Sequence, residues 1–84
     1  MADENAENAA ETAELDRLQA AYKAAVEEWV VKIREEEALA SVDHTLAEVD
    51  EWEQAHFRQR EAHEKANAAK AEYENALREK FFGF

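Results

Sequence analysis

The chain has 84 residues, enough for one small domain at most, and a chain this short buries too little surface to be more than marginally stable alone. Cysteine and proline are absent and the single glycine is Gly83, which excludes a disulfide framework, a thiol nucleophile and a turn-rich β architecture. With 21 Asp plus Glu against 10 Lys plus Arg the net charge is −11, which disfavours direct contact with nucleic acid or an anionic membrane, both polyanions.

No apolar run approaches the ~20 residues of a membrane span. The opening Met1-Ala-Asp-Glu-Asn5 has no apolar stretch of the secretory kind. A cytoplasmic protein is the expectation. Alanine and glutamate dominate the composition, and both favour helix.

Residues 1–8 are small and polar and read as a frayed N-terminus. Asn8 with Glu11 forms a capping-box pattern, and Thr12 offers a second start. Asp3, Glu4, Glu7, Glu11, Glu14 and Asp16 all precede the first cation, Arg17, the arrangement the helix macrodipole favours. Leu15, Leu18, Tyr22, Val26, Trp29 and Ile33 then follow at spacings of three and four, one stripe of an α-helix. Ala25 and Val30 widen the stripe, Val31 points away from it, and Glu28 with Lys32 forms a favourable pair on the outer face.

Residues 35–57 carry Glu35, Glu36, Glu37, Asp43, Glu48, Asp50, Glu51 and Glu53 and no Lys or Arg. Three glutamates oppose the dipole of a helix ending near Leu39. Ser41 and Asp43 are good N-caps, Thr45 with Glu48 is a capping box, and Val42 is placed to staple onto Ala47. These competing start signals predict a turn at about 41–43, between a helix over about 9–40 and another over about 44–82. A single continuous helix is the alternative.

In the second helix Trp52, Ala55, Gln59, Ala62, Ala66, Ala69, Tyr73 and Ala76 keep the strict three-four spacing of a coiled-coil seam. Alanine in a seam implies close helix approach. Glu61–Lys65, Lys70–Glu74 and Glu74–Arg78 are expected surface pairs. The chain closes on Phe81, Phe82, Gly83 and Phe84, with Gly83 read as a left-handed residue ending the helix.

The expected fold is therefore all-α, an antiparallel two-helix hairpin of coiled-coil type. Folding about position 42 would set Trp29 and Ile33 near Val49 and Trp52. It would set Leu15, Leu18 and Tyr22 beside Ala62, Ala66 and Ala69. One seam does not accommodate Trp52, Phe57 and the aromatic tail together, so a homodimer, a twofold four-helix bundle, is expected.

The function this predicts is a non-enzymatic interaction or assembly module. The candidate partner-binding residues are Trp52, Phe57, Phe81, Phe82 and Phe84, with Glu35, Glu36, Glu37, Asp43, Glu48, Asp50 and Glu51. The aromatic tail serves either as a cap on the bundle end or as an anchor in a partner's pocket. The acidic block reads as a solvated face, as a surface for a basic protein, or as an imitation of a nucleic-acid backbone that inhibits by filling a basic cleft.

Glu53 and His56 form a Glu-x-x-His, the spacing of di-metal carboxylate bundles, but Arg60 one turn on opposes a cation and no metal is expected. His56 and His63 share a face and read as solvent-facing histidines, with a mild-acid effect on a dimer as the alternative. No phosphate loop or nucleophile-base pattern supports catalysis, and no cofactor is expected.

Overall fold

A computed structural model describes the backbone of residues 2–40 and 46–83, with side chains from 9–40 and 49–83. Two long helices account for nearly all of it: α1 spans Ala2–Ala38 and α2 spans Leu46–Phe82. They pack against each other as a hairpin. The expected turn at 41–43, its caps at Ser41, Asp43 and Thr45, and the staple residue Val42 lie outside the described residues.

Helix α1 begins at Ala2, upstream of the start signals at Asn8 and Thr12. Nothing in Ala2–Glu11 breaks a helix, and its acids face the favourable end of the macrodipole. At the other end no basic residue occupies the last turn, and Glu36 and Glu37 oppose the dipole. The helix closes there nevertheless. The carbonyls of Glu36 and Glu37 accept from the amides of Leu39 and Ala40 at 3.2 and 3.0 Å, the tight three-residue turn that satisfies orphan carbonyls. Helix α2 ends as its sequence predicts. Gly83 adopts φ 77°, and its amide donates to the Glu79 carbonyl at 3.1 Å, a left-handed cap open to glycine without strain.

The core is a narrow strip. Leu18, Ala55, Ala62 and Ala66 are buried, with 1% to 6% of their surface exposed. Leu15, Tyr22, Ala25, Val26, Trp29 and Ile33 are half-buried on α1, as are Gln59, Ala69, Tyr73 and Ala76 on α2. Large side chains of α1 thus lie on small ones of α2. This is the expected composition of the seam.

The register differs from the expected one. The Trp29 indole stacks on the His63 imidazole, with ring centroids 4.2 Å apart and an interplanar angle of 15°. Seven residues on, the Glu36 carboxylate accepts from His56 Nδ1 at 2.9 Å. Both pairs are symmetric about Leu46 rather than about position 42, so Trp29 and Ile33 do not meet Val49 and Trp52. Leu15 instead lies beside Ala76 in one groove. A three-four seam looks the same after a seven-residue slide, so large-on-small packing is retained either way. The shift gains the ring stack and the Glu36–His56 hydrogen bond.

The helices are consequently staggered. Ala38, the end of α1, is level with Gln54, and the first two turns of α2 run on past it. The molecule is 68 Å long, well beyond the ~55 Å of a single 37-residue helix. Its Cα radius of gyration is 19.2 Å, against ~12 Å for a compact domain of this length.

Surface ion pairs follow helical spacing without matching every expected partner. Lys70–Glu74 and Arg78–Glu74 form at 3.5 Å. Lys32 turns to Glu35 at 3.4 Å rather than to Glu28, and Glu61 and Lys65 do not approach within ion-pair distance. Such exposed pairs are close in energy and exchange readily.

Ala62→Leu adds bulk at a position only 4% exposed, and is expected to lower stability by about 1–3 kcal/mol. Ala68→Leu, on the exposed side of the same helix, is expected to be near neutral. Thermal unfolding followed by circular dichroism separates the two, and leucine's good helix propensity removes a trivial explanation.

Candidate interaction surface

The stagger decides where apolar surface is left. Trp52 occupies a seam position, in phase with Ala55 and Ala62, yet is 46% exposed because α1 has ended at its level. Val49, one turn earlier, is 44% exposed. Glu36, Val49, Trp52, Glu53 and His56 line an open groove of ≈ 330 Å³ at this end. Its floor is aliphatic and aromatic and its rim carries two carboxylates. Phe57 lies outside the groove, on the solvent face of α2, and is strongly exposed.

At the opposite pole Phe81 and Phe82 are also exposed, and Lys80 Nζ lies 5.9 Å from the Phe81 ring centre. Phe84 and the side chains of Glu48 and Asp43 lie outside the described residues. A second groove of ≈ 470 Å³ near this pole is lined by Leu15, Ala76 and Lys80 among others.

The long sides of the hairpin differ in chemistry. In an antiparallel pair, residues that follow a seam position on each helix share one side. On that side Gln19, Val26 and Ile33 of α1 recur every seven residues, as do Val49, His56, His63, Lys70 and Leu77 of α2. No acid occupies any of these positions, although Glu36 and Glu74 reach His56 and Lys70 on this side. Val26, Ile33, His63 and Leu77 are half-buried along it, and Val30 beside them is 40% exposed. The other flank carries Glu14, Glu28 and Glu35 opposite Arg58, Lys65 and Glu72, all exposed. One side of the molecule is apolar with histidines and the other is a lattice of charge.

The acidic candidates fall into two groups. Glu36 faces the seam, where its side chain keeps 20% of its exposure and is held by His56. Glu35, Glu37, Asp50 and Glu51 are exposed around the turn pole. Together with Glu53 they give that pole its negative charge, and no Lys or Arg lies between residues 35 and 57 to offset it.

The shifted register brings Glu36 of α1 level with His56, and Glu36, Glu53 and His56 line the same groove. Among the described residues, however, no three His, Asp or Glu side chains converge closely enough to hold a metal ion. His63 is occupied differently: Asn67 Nδ2 donates to its Nε2 at 3.3 Å while its ring covers Trp29. The buried indole Nε1 of Trp29 has no hydrogen-bond partner among the described residues, a cost of about 1–3 kcal/mol of which the stacking offsets only part.

Among the described residues one carboxylate is clearly perturbed. The Arg17 guanidinium hydrogen-bonds Glu14 at 2.6 and 3.0 Å and holds its pKa below the ordinary carboxylate value, opposed by slight desolvation and aided by the charge of Arg17. A depressed folded pKa stabilises the fold above the ordinary value, and that contribution is lost as pH falls through the depressed one. This pair is remote from both grooves.

No family model, curated protein or solved structure matches the chain. Among the described residues no helix is long and apolar enough to cross a membrane.

The two tryptophans are expected to respond oppositely to truncation. Trp29→Ala removes a packed seam residue and its ring stack, and is expected to cost about 3 kcal/mol of hairpin stability. Trp52→Ala is expected to leave the stability of dilute protein within about 0.5 kcal/mol, because its ring has little to lose within one chain. Urea unfolding of both variants at low protein concentration measures the difference.

Proposed function

We propose that this protein is a non-enzymatic protein–protein interaction or assembly module whose first partner is a second copy of itself, the two hairpins forming a four-helix bundle. The observation that carries this reading is the surface left uncovered. The chain exposes 6647 Å², whereas a compact monomer of this mass exposes ~5,100 Å². The excess, roughly 1,500 Å² per copy, is about twice the ~800 Å² that each partner buries in a standard protein interface. Much of it is apolar, at Val30, Val49, Trp52, Phe57 and Phe81.

The energetic argument points the same way. Two helices sharing one seam bury four residues fully among those described, three of them alanines. An alanine contributes little apolar area, and small domains with so thin a core ordinarily rely on disulfides, metals or association. The chain has no cysteine for the first of these. Joining the two apolar flanks would enclose Val26, Ile33 and Leu77 on both copies and convert one seam into a shared core.

A second reading is favoured by the turn pole. There Asp50, Glu51 and Glu53 stand exposed on turns of α2 that α1 does not cover, in a segment without Lys or Arg. Such a pole suits a basic protein surface, including a cleft built for nucleic acid, which the hairpin would occupy as an inhibitor.

Equilibrium sedimentation tests the first reading: a dimer that dissociates on dilution is expected, and a monomer at all concentrations would overturn it. Capture of a partner that is lost between low and moderate salt would support the acidic reading, whereas capture that survives high salt would count against it.

A further inference from the structure

The apolar pattern of this hairpin leaves its register open, and the register decides whether Trp52 is covered. Only slides of a whole heptad keep both seams in phase. A slide of α1 away from the turn shortens the overlap and sets Trp29 level with Lys70, which offers no ring to stack on. A slide toward the turn competes better. Each residue of α1 then meets the residue of α2 seven places earlier. Ala38 comes level with Ala47, and the two helices overlap along almost their whole length. Ile33 comes level with Trp52, which in the observed register is 46% exposed. Trp29 leaves His63 but reaches the level of His56, and Tyr22 reaches that of His63. The ring stack therefore has a partial substitute one heptad away. It is partial because His63 is bonded by Asn67 four residues on, where His56 has Arg60.

Glu36 has no such substitute. In the observed register its carboxylate accepts from His56 Nδ1 at 2.9 Å, and its side chain keeps 20% of its exposure. After the slide it would lose His56 and stand level with Val49, with position 48 in the facing layer of the seam. Position 48 keeps the seam phase, seven residues before Ala55, and it is a glutamate. Two carboxylates in one layer repel, and α2 offers no cation there, its first being Arg58.

We infer that Glu36 sets the register of the hairpin. It holds α1 in place through His56, and it bars the slide toward the turn because that slide would set it against Glu48. Polar residues in a helical seam select one alignment among several in this way, at a cost in stability. Here the cost is a heptad of overlap and the burial of Trp52. The exposure of Val49 and Trp52 at the turn pole therefore depends on one carboxylate at the end of α1. The device lies within one chain and does not depend on self-association.

A pair of spin labels reads the register directly, since the chain has no native cysteine to interfere. Ala13→Cys on α1 and Gln54→Cys on α2 are both exposed. Labelled chain is diluted into unlabelled chain, so that only distances within one molecule are read. A heptad slide toward the turn shortens this distance by about 10 Å, from the helical rise. Glu36→Lys removes the bond to His56 and is attracted to Glu48, and is expected to move most of the population to the shorter distance. Adding Glu48→Lys to it restores like charge in the shifted layer and is expected to return the longer distance. Glu48→Lys alone lies on turns of α2 beyond the end of α1, and is expected to add the shorter distance to the longer one. That variant decides the matter even if Glu36→Lys loses helicity by circular dichroism. The longer distance alone in Glu48→Lys or in a helical Glu36→Lys, or the shorter one persisting in the double variant, would overturn the role assigned to Glu36.

Discussion

Everything in this hairpin depends on how closely two helices approach along a seam of alanines. Ala55, Ala62 and Ala66 are nearly inaccessible because nothing beyond a methyl group separates α2 from its partner. Most of the volume of the seam is supplied by α1, through Leu15, Leu18, Tyr22, Trp29 and Ile33, with Gln59 and Tyr73 the larger contributions from α2. That division makes the contact close but thin. Each alanine removes little apolar surface from water, so the stability of one hairpin is limited by its chemistry rather than by its length. The same closeness leaves bulky residues of the flanks pushed outward, half-covered, on the side of the molecule whose flank positions carry no acid.

The sequence makes the elements and the seam legible because both are periodic. A three-four recurrence of apolar residues needs no knowledge of the partner helix, and neither does a glycine that ends a helix at φ 77°. Register is different. Sliding one seam along another by a heptad exchanges alanine for alanine and leucine for tyrosine, so the apolar pattern barely distinguishes the choices. What decides it is a pair of specific contacts, Trp29 on His63 and Glu36 with His56, made by residues just beside or at the edge of the pattern. His63 looks like an ordinary surface histidine until the level of Trp29 is known.

The candidate surface inherits that ambiguity. Phe57 is recognisable as exposed from its position alone, since it falls outside the seam, whereas the pattern leaves the aromatic tail open between a cap on the bundle end and an exposed anchor. Trp52 is not recognisable in this way, because its phase is that of a core residue and only the early end of α1 uncovers it. Glu36 reverses the pattern. It reads as one of three solvated glutamates at a helix end, yet the register turns it inward against an imidazole and makes it part of a groove wall. The exposed acids around it give that groove its sign of charge.

The stagger also bears on the order of folding. Among the described residues, the inter-helix side-chain bond nearest the turn joins positions 20 apart in sequence. Closing a loop of that size costs about 3 kcal/mol of chain entropy before any further contact repays it. A loop of this size makes contact at least as fast as a helix relaxes, within about a microsecond, so the entropy of closure rather than the rate of helix formation orders the docking. The contact that closes the shortest loop is the least costly to make first. Docking then runs from the Glu36–His56 clasp toward the termini, each added turn lengthening the seam by a few small contacts. The last turns to close, at Leu15 and Ala76, are also the first to open. The terminal pole that carries Phe81 is therefore the part of the molecule in which helix and docking are least tightly bound to one another.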